Sequence, residues 1–539
     1  MKKWIYFVLT TAVIVCNPPH KNADTKLVVF ISIDHLRPDL LTRFDDLYTG
    51  GFRWFIDHSL WFTNTHHEHA YTATGPGHFV LGSGRHPGPS GILGNSWYDP
   101  EKKEKVYCVE DSLSNVLGGG GRKVSYRNID CTGLGDWIKK SNPKSKVYSV
   151  AGKDRTSIFL GGKNPDLAIW YDWQGHFVTS DYYISEVPAW LTQFNQTLHI
   201  ENYRDSLWRR TLDSETYIQF SREDNFFGES DIFETDPYSP VFPIGFGSEK
   251  DIFDNIGRTP WFEKFTLDLA STIVMKEQLG ADKYPDILFV GLSATDWIIH
   301  NWGPFSQEAM DLMLKLDQYL NDFLISLDQS CGLENIQFIL TSDHGGLPIP
   351  EYLEKVGIKD GGRINRDSYI SGKNAILKEI EIKYDEDDLV KINSGRFYYN
   401  HQILKVLKID QLELHDIIRT HITSIDGISR LITKTEIDNA SENDTLLQRF
   451  KNFTHPTKGP DAVILLDKYW TFRNPYGTGH GTPYDYDSHV PLLFVRKGQD
   501  QRFIRRKIHT VDIAPTIADI LQVPFPPKID GKSIFEVQE

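Results

Sequence analysis

The sequence predicts an α/β fold: a mostly parallel central sheet flanked by helices, with insertions capping one edge. Three observations carry that expectation. Unbroken apolar runs of strand length recur along the chain, helical patterns lie between them, and two long stretches interrupt the alternation.

Taken in order, Lys26–Asp34 (KLVVFISID) is apolar without alternation, the pattern of a parallel strand buried on both faces. Lys146–Ala151, Asp166–Asp172, Asp286–Ser293, Asn335–Asp343, Asp461–Asp467 and Val490–Val495 read as further strands of the same sheet. Phe262–Gly280, Gln307–Gln329 and Val511–Leu521 read as helices between strands. Phe177–Pro260, rich in Trp, Tyr, Asp and Pro, and Tyr352–Pro460, with charged helical segments such as Gln411–His421, break the rhythm. Both are expected to be insertions over the C-terminal edge of the sheet, where open α/β proteins bind ligands. The organisation expected is therefore one large domain over 23–539, carrying insertions at about 177–260 and 352–460.

Residues 1–16, MKKWIYFVLTTAVIVC, place two lysines before an apolar run too short to span a bilayer with ease. They read as an export signal within residues 1–22, and Cys16 leaves a lipidated form open beside a simply cleaved one. The expected location is periplasmic or outer-surface, with no stable membrane insertion. A net charge of −15 argues against a nucleic-acid-binding surface, while a local basic pocket stays compatible with it. Cys108 and Cys131 either close a small disulfide loop, which export permits, or remain free buried thiols. No cysteine spacing fits a zinc finger.

The chemistry concentrates around Tyr71–Asp99. Thr74 stands in a Gly/Pro-rich turn before a helical segment, and Asn95 follows in a second Gly-bounded turn. A hydroxyl at a helix N-terminus faces backbone N–H groups and a dipole that favour an anion. Elsewhere, Asp34 closes one strand run, and Asp343 with His344 closes another in TSDHGG. Asp296 and His300 are four apart, so on a helix they share a face and can bind one ion. His480 lies in the Gly-rich GTGHGTP loop. Each feature alone has an ordinary explanation, as a helix cap, a turn former or a solvated helix face. Their joint occurrence at strand ends, a turn and a helix face points instead to a metal centre of Asp and His donors, a set that suits zinc. Lys153 and Arg155, in GKDR after the Val147–Ala151 run, are expected on an extended segment, where i and i+2 face the same way. His66, His67 and His69 are expected to pack or support rather than ligate, and Thr72 is a weaker nucleophile candidate than Thr74.

These residues, quoted as SIDHLRPD, TGPGH, GILGNSWYD, GKDR, D-x-x-x-H, DH and HG, resemble the alkaline phosphatase superfamily, in particular its PafA-like branch with a threonine nucleophile. The resemblance runs from Val28 to about Glu536 and includes YDSHVPLLF and HTVDIAPTIADIL. It implies an alkaline-phosphatase-like sandwich and two Zn²⁺ ions. Asp296, His300 and His480 would hold one, and Asp34, Asp343 and His344 the other, with Thr74 completing it. It further implies hydrolysis of small-molecule phosphate monoesters through a phosphothreonine, with Asn95, Lys153 and Arg155 binding the phosphoryl oxygens. A phosphodiesterase or phosphonate hydrolase on the same metal core, and a non-catalytic surface-binding protein, are the alternatives. The Cys/Ser-x-Pro-x-Arg motif of the superfamily's sulfatases is absent.

Overall fold

A computed structural model describes residues 25–233, 241–246 and 251–535. The expected export signal and Cys16 lie outside the described residues.

Leu27–Ile33 (β1) is buried at all seven positions, as an unbroken apolar run requires. It lies at the heart of an 11-stranded sheet. The other strands are Ser59–His66 (β2), Val116–Leu117 (β3), Val147–Ala151 (β4), Leu167–Tyr171 (β5), Phe177–Ser180 (β6), Asp286–Leu292 (β7), Ile336–Thr341 (β8), His489–Val495 (β9), Arg502–Ile504 (β10) and Ile508–His509 (β11). Their spatial order is β10-β2-β9-β8-β1-β7-β4-β5-β6-β3, with β11 also beside β2. The run β8-β1-β7-β4-β5 is parallel throughout. β9 is antiparallel to both β8 and β2, and β6 is antiparallel to β5.

Side chains alternate between two apolar layers. Leu27, Val29, Ile31 and Ile33 face helices that include Pro260–Glu277, Ala294–Trp302 and Gln307–Cys331. Val28 and Phe30 face Leu134–Ser141 and Ile513–Ile520. No helix among the described residues is long and apolar enough to cross a membrane.

One expected sheet strand belongs elsewhere. Ala462–Leu466 pairs with Arg396–Tyr399 and Ile428–Thr433 in a separate four-stranded antiparallel sheet. Ala462, Ile464 and Leu466 enter one apolar cluster with helices Arg366–Tyr384 and Gln411–Ile422, while Val463 and Leu465 enter another with Phe450 and Phe453. Burial on both faces gives an unbroken apolar run in either kind of sheet. Phe177–Ser180, expected at the start of an insertion, is a strand of the main sheet. Cys108, Cys131 and Cys331 are free thiols.

Candidate active site

The parallel register brings four strand ends level. Ser32 of β1 lies opposite Gly291 of β7 and Thr341 of β8, and Gly291 lies opposite Ala151 of β4. The residues that follow, Asp34, Asp296, Asp343 and Lys153, therefore emerge on one rim. Thr74 opens the helix Thr74–Ser83, which packs against the helix Asp154–Gly161 that follows β4. Gly77 allows its approach: a Cβ there would lie 2.2 Å from the Asp343 carbonyl oxygen.

Two groups of potential ligands form on this rim. Asp34, Asp343 and His344 make one, and Asp296, His300 and His480 make the other, joined by His35. His344 Nε2 lies 3.4 Å from both Asp34 Oδ1 and Asp343 Oδ2. Asp296 Oδ1 lies 3.2 Å from His300 Nε2 and 3.7 Å from His480 Nε2. The Nδ1 atoms of His300, His480 and His344 lie 2.7, 2.7 and 2.9 Å from the carbonyl oxygens of Thr478, Thr72 and Gly345. A carbonyl only accepts, so each Nδ1 carries a proton, and in the neutral ring Nε2 then turns a lone pair towards the carboxylates. Lone pair against carboxylate at such range needs a cation between them. Asp34 Oδ1, Asp343 Oδ2 and His344 Nε2 are buried without a hydrogen-bond partner. The donor set thus fits divalent metal ions. Burial drives the His344 and His480 imidazoles to the neutral form that ligates, with His344 pulled down to about 3. Burial and the neighbouring Asp343 push the Asp34 carboxyl well above its usual range, with Lys153 opposing.

Lys153 Nζ lies 2.7 Å from Asp34 Oδ2 and 2.5 Å from Asp296 Oδ2, over the Trp297 ring. Burial opposes its charge, yet Asp296 and Asp34 hold its pKa above the ordinary value. Lys153 Nζ and Arg155 Nη2 each lie 3.5 Å from Thr74 Oγ1. The segment that carries them is not extended as expected. Lys153 caps the helix that starts at Asp154, and Arg155 lies in its first turn. The two cations converge because a long side chain from a cap and one from the first turn reach the same point. Asn95 accepts from the Gly75 N–H at 2.7 Å through Oδ1.

Several neighbours of the candidate site were not singled out by sequence reasoning. His35 places Nδ1 2.8 Å from Asp296 Oδ1 and takes φ +68, a left-handed conformation rare outside Gly. Tyr107 receives Arg155 Nη1 at 3.3 Å. Glu263 accepts from Ser293 N and Thr295 N, both at 3.1 Å, at the start of the helix that carries Asp296 and His300. His78, seen only as part of the TGPGH motif, bonds Ser32 Oγ at 2.9 Å and approaches Asp343 Oδ2 at 3.2 Å. The His66–His69 group joins neither metal cluster. His66 stacks on His489, and His67 holds the Ser342 carbonyl at 3.0 Å. Thr72 spends its hydroxyl on the Thr482 carbonyl.

Residues 28–489 match the family described as type I phosphodiesterase / nucleotide pyrophosphatase. The chain belongs to this family, within the alkaline phosphatase superfamily. It is 30% identical to alkaline phosphatase PafA of Elizabethkingia meningoseptica, with 99% of each chain covered. It is 29% identical to alkaline phosphatase PhoV of Synechococcus elongatus, over 96% of this chain and 94% of that one. The crystal structure of wild-type PafA superposes with a TM-score of 0.87, covering 95% of this chain and 99% of that chain. The expected α/β sandwich with its mostly parallel sheet is therefore the observed fold. The chain is a phosphoester hydrolase whose substrates are small-molecule phosphate esters.

Proposed function

We propose that the chain is an exported, zinc-dependent alkaline phosphatase that hydrolyses phosphate monoesters to alcohol and inorganic phosphate through a phosphothreonine. The observation that carries the reading is the pair of cations, Lys153 and Arg155, each 3.5 Å from the Thr74 hydroxyl. A monoester phosphoryl group carries close to two negative charges near neutral pH. A diester has one charge and a second alcohol on an oxygen that a cation would otherwise hold.

Asp34, Asp343 and His344 would hold one zinc ion and Asp296, His300 and His480 the other, and the two would offset charge on the attacking and leaving oxygens. Thr74 Oγ1 attacks phosphorus in line, forming the Thr74–phosphate bond as the bond to the alcohol oxygen breaks. The helix N-terminus favours the alkoxide form of the nucleophile. Arg155, braced by Tyr107, and Lys153 bind phosphoryl oxygens, and the Asn95 amide donates a further hydrogen bond. Water then attacks from the side the alcohol left, so two inversions give net retention at phosphorus. The lysines and short apolar run of residues 1–16 support export to the periplasm or outer surface.

A comparison of aryl monoester and diester hydrolysis tests the reading. Arg155→Ala is expected to lower monoester kcat/KM about 100-fold, the scale of a lost charge-assisted contact, and to lower diester turnover far less. Chelation should abolish activity and zinc restore it. Equal losses on both ester classes would favour the diesterase alternative.

A further inference from the structure

The rim opens onto a cavity of about 690 Å³, lined on one side by Asn95, His300 and His480 and on the other by the Tyr352–Pro460 segment and the loop after Ala462–Leu466. Asp34, Asp343 and His344 do not line it. It therefore adjoins the Asp296, His300 and His480 group and not the Asp34, Asp343 and His344 group that Thr74 would complete in the reading above. With in-line attack from Thr74, this is the side on which the alcohol departs.

The wall is basic and aromatic. Arg366, Arg396 and Arg473 line it, against a single aspartate, Asp487. Asp487 is fully buried, accepts from Thr482 N and Oγ1 at 2.8 and 2.6 Å, and is pushed up to about 7 by burial. Arg396 is 3% exposed, donates to the Leu93 carbonyl at 2.7 Å and lies on the rings of Tyr71 and Phe453 at 4.4 and 4.9 Å. Arg366 and Arg473 make no salt bridge among the described residues, whereas the nearby Arg363 takes Glu351 at 2.7 Å. The main chain of Arg473 is fixed: its N–H donates to Thr471 Oγ1 at 3.0 Å and its carbonyl accepts from Arg363 Nη1 at 2.9 Å. Tyr369 and Phe472, 5.1 Å apart between centroids and inclined at 59°, supply an aromatic wall beside it.

We propose that this cavity is a leaving-group site selecting phosphate monoesters whose alcohol is a flat ring system bearing a further anionic group, a carboxylate or second phosphate. The proposal rests on the monoesterase reading above. The ring packs on the aromatic wall and the anion pairs with Arg473 and Arg366, whose guanidinium forks suit carboxylate and phosphate alike. A cavity of this size accommodates an aryl or nucleoside body.

The test pairs 4-carboxyphenyl phosphate with its neutral isostere, 4-carbamoylphenyl phosphate, on the zinc-loaded full chain. Arg473→Ala is expected to lower kcat/KM for the carboxylate about tenfold more than for the amide, and Arg473→Lys to recover most of that difference. Arg366→Ala, at a separate exposed position, should act in the same direction. Equal effects on the two substrates in both alanine variants would overturn the proposal while leaving the monoesterase reading intact. Failure of the wild-type enzyme to hydrolyse either ester would remove both.

Discussion

Replacing Gly77 by Ala isolates the approach of the Thr74–Ser83 helix to the Asp343 strand end without touching any group proposed to react. Two effects oppose one another. Ala is favoured over Gly in a helix by about 1 kcal/mol. The new Cβ, however, would lie 2.2 Å from the Asp343 carbonyl oxygen and 2.7 Å from Asp343 Cβ, where ordinary contact begins near 3.4 Å. The shortfall of roughly 1.2 Å lies against backbone at the end of β8, which has no rotamer to yield, so the helix itself must shift. Overpacking of this kind costs about 1–3 kcal/mol, enough to cancel the propensity gain. A shift of about 1 Å at a reacting centre costs on the order of 100-fold in rate. The expected outcome is therefore kcat for an aryl phosphate down about 100-fold with the fold intact. Steady-state kinetics beside a thermal melt and zinc content check it. A variant more stable than wild type and fully active would refute the claim that Thr74 is held in place by helix contact with the Asp343 strand end.

The remaining predictions concern groups beside the rim. His35→Ala should weaken zinc binding at the Asp296 group about 10–100-fold in chelator competition, because Asp296 loses the imidazole that orients it. Burial pushes the Glu263 carboxyl up to about 7 against an ordinary 4.5. Its contribution to stability is thus full below pH 4.5 and is lost as pH rises through about 7. Glu263→Gln should flatten that dependence, with a wild-type-minus-variant change of roughly 3 kcal/mol across the window in denaturant titrations. Tyr107→Phe should raise monoester KM more than it lowers kcat, by a few-fold, since Arg155 loses one of the groups that brace it.

Much of this was legible in the sequence, for a physical reason. Strands such as Leu27–Ile33 are buried on both faces, so hydrophobicity alone marks them, and their C-terminal residues fall on one rim by parallel register. The same rule misassigned Ala462–Leu466, since double burial does not distinguish a central sheet from a second one. Lys153 and Arg155 were found through an extended geometry that the backbone does not adopt. His35 was invisible as a ligand neighbour because its direction depends on a left-handed turn, with no sequence signature outside Gly and Asn. Glu263 and Tyr107 reach the site from 33 and 48 residues away from Asp296 and Arg155, and no spacing rule connects such pairs.

Rapid quenching of a turning-over reaction, followed by peptide mapping, tests the central claim most directly. Phosphate covalently attached to Thr74 in the wild type, and absent with turnover lost in Thr74→Ala, is the expected result. Phosphate on a different residue, or undiminished turnover in Thr74→Ala with both metal groups loaded, would contradict the account.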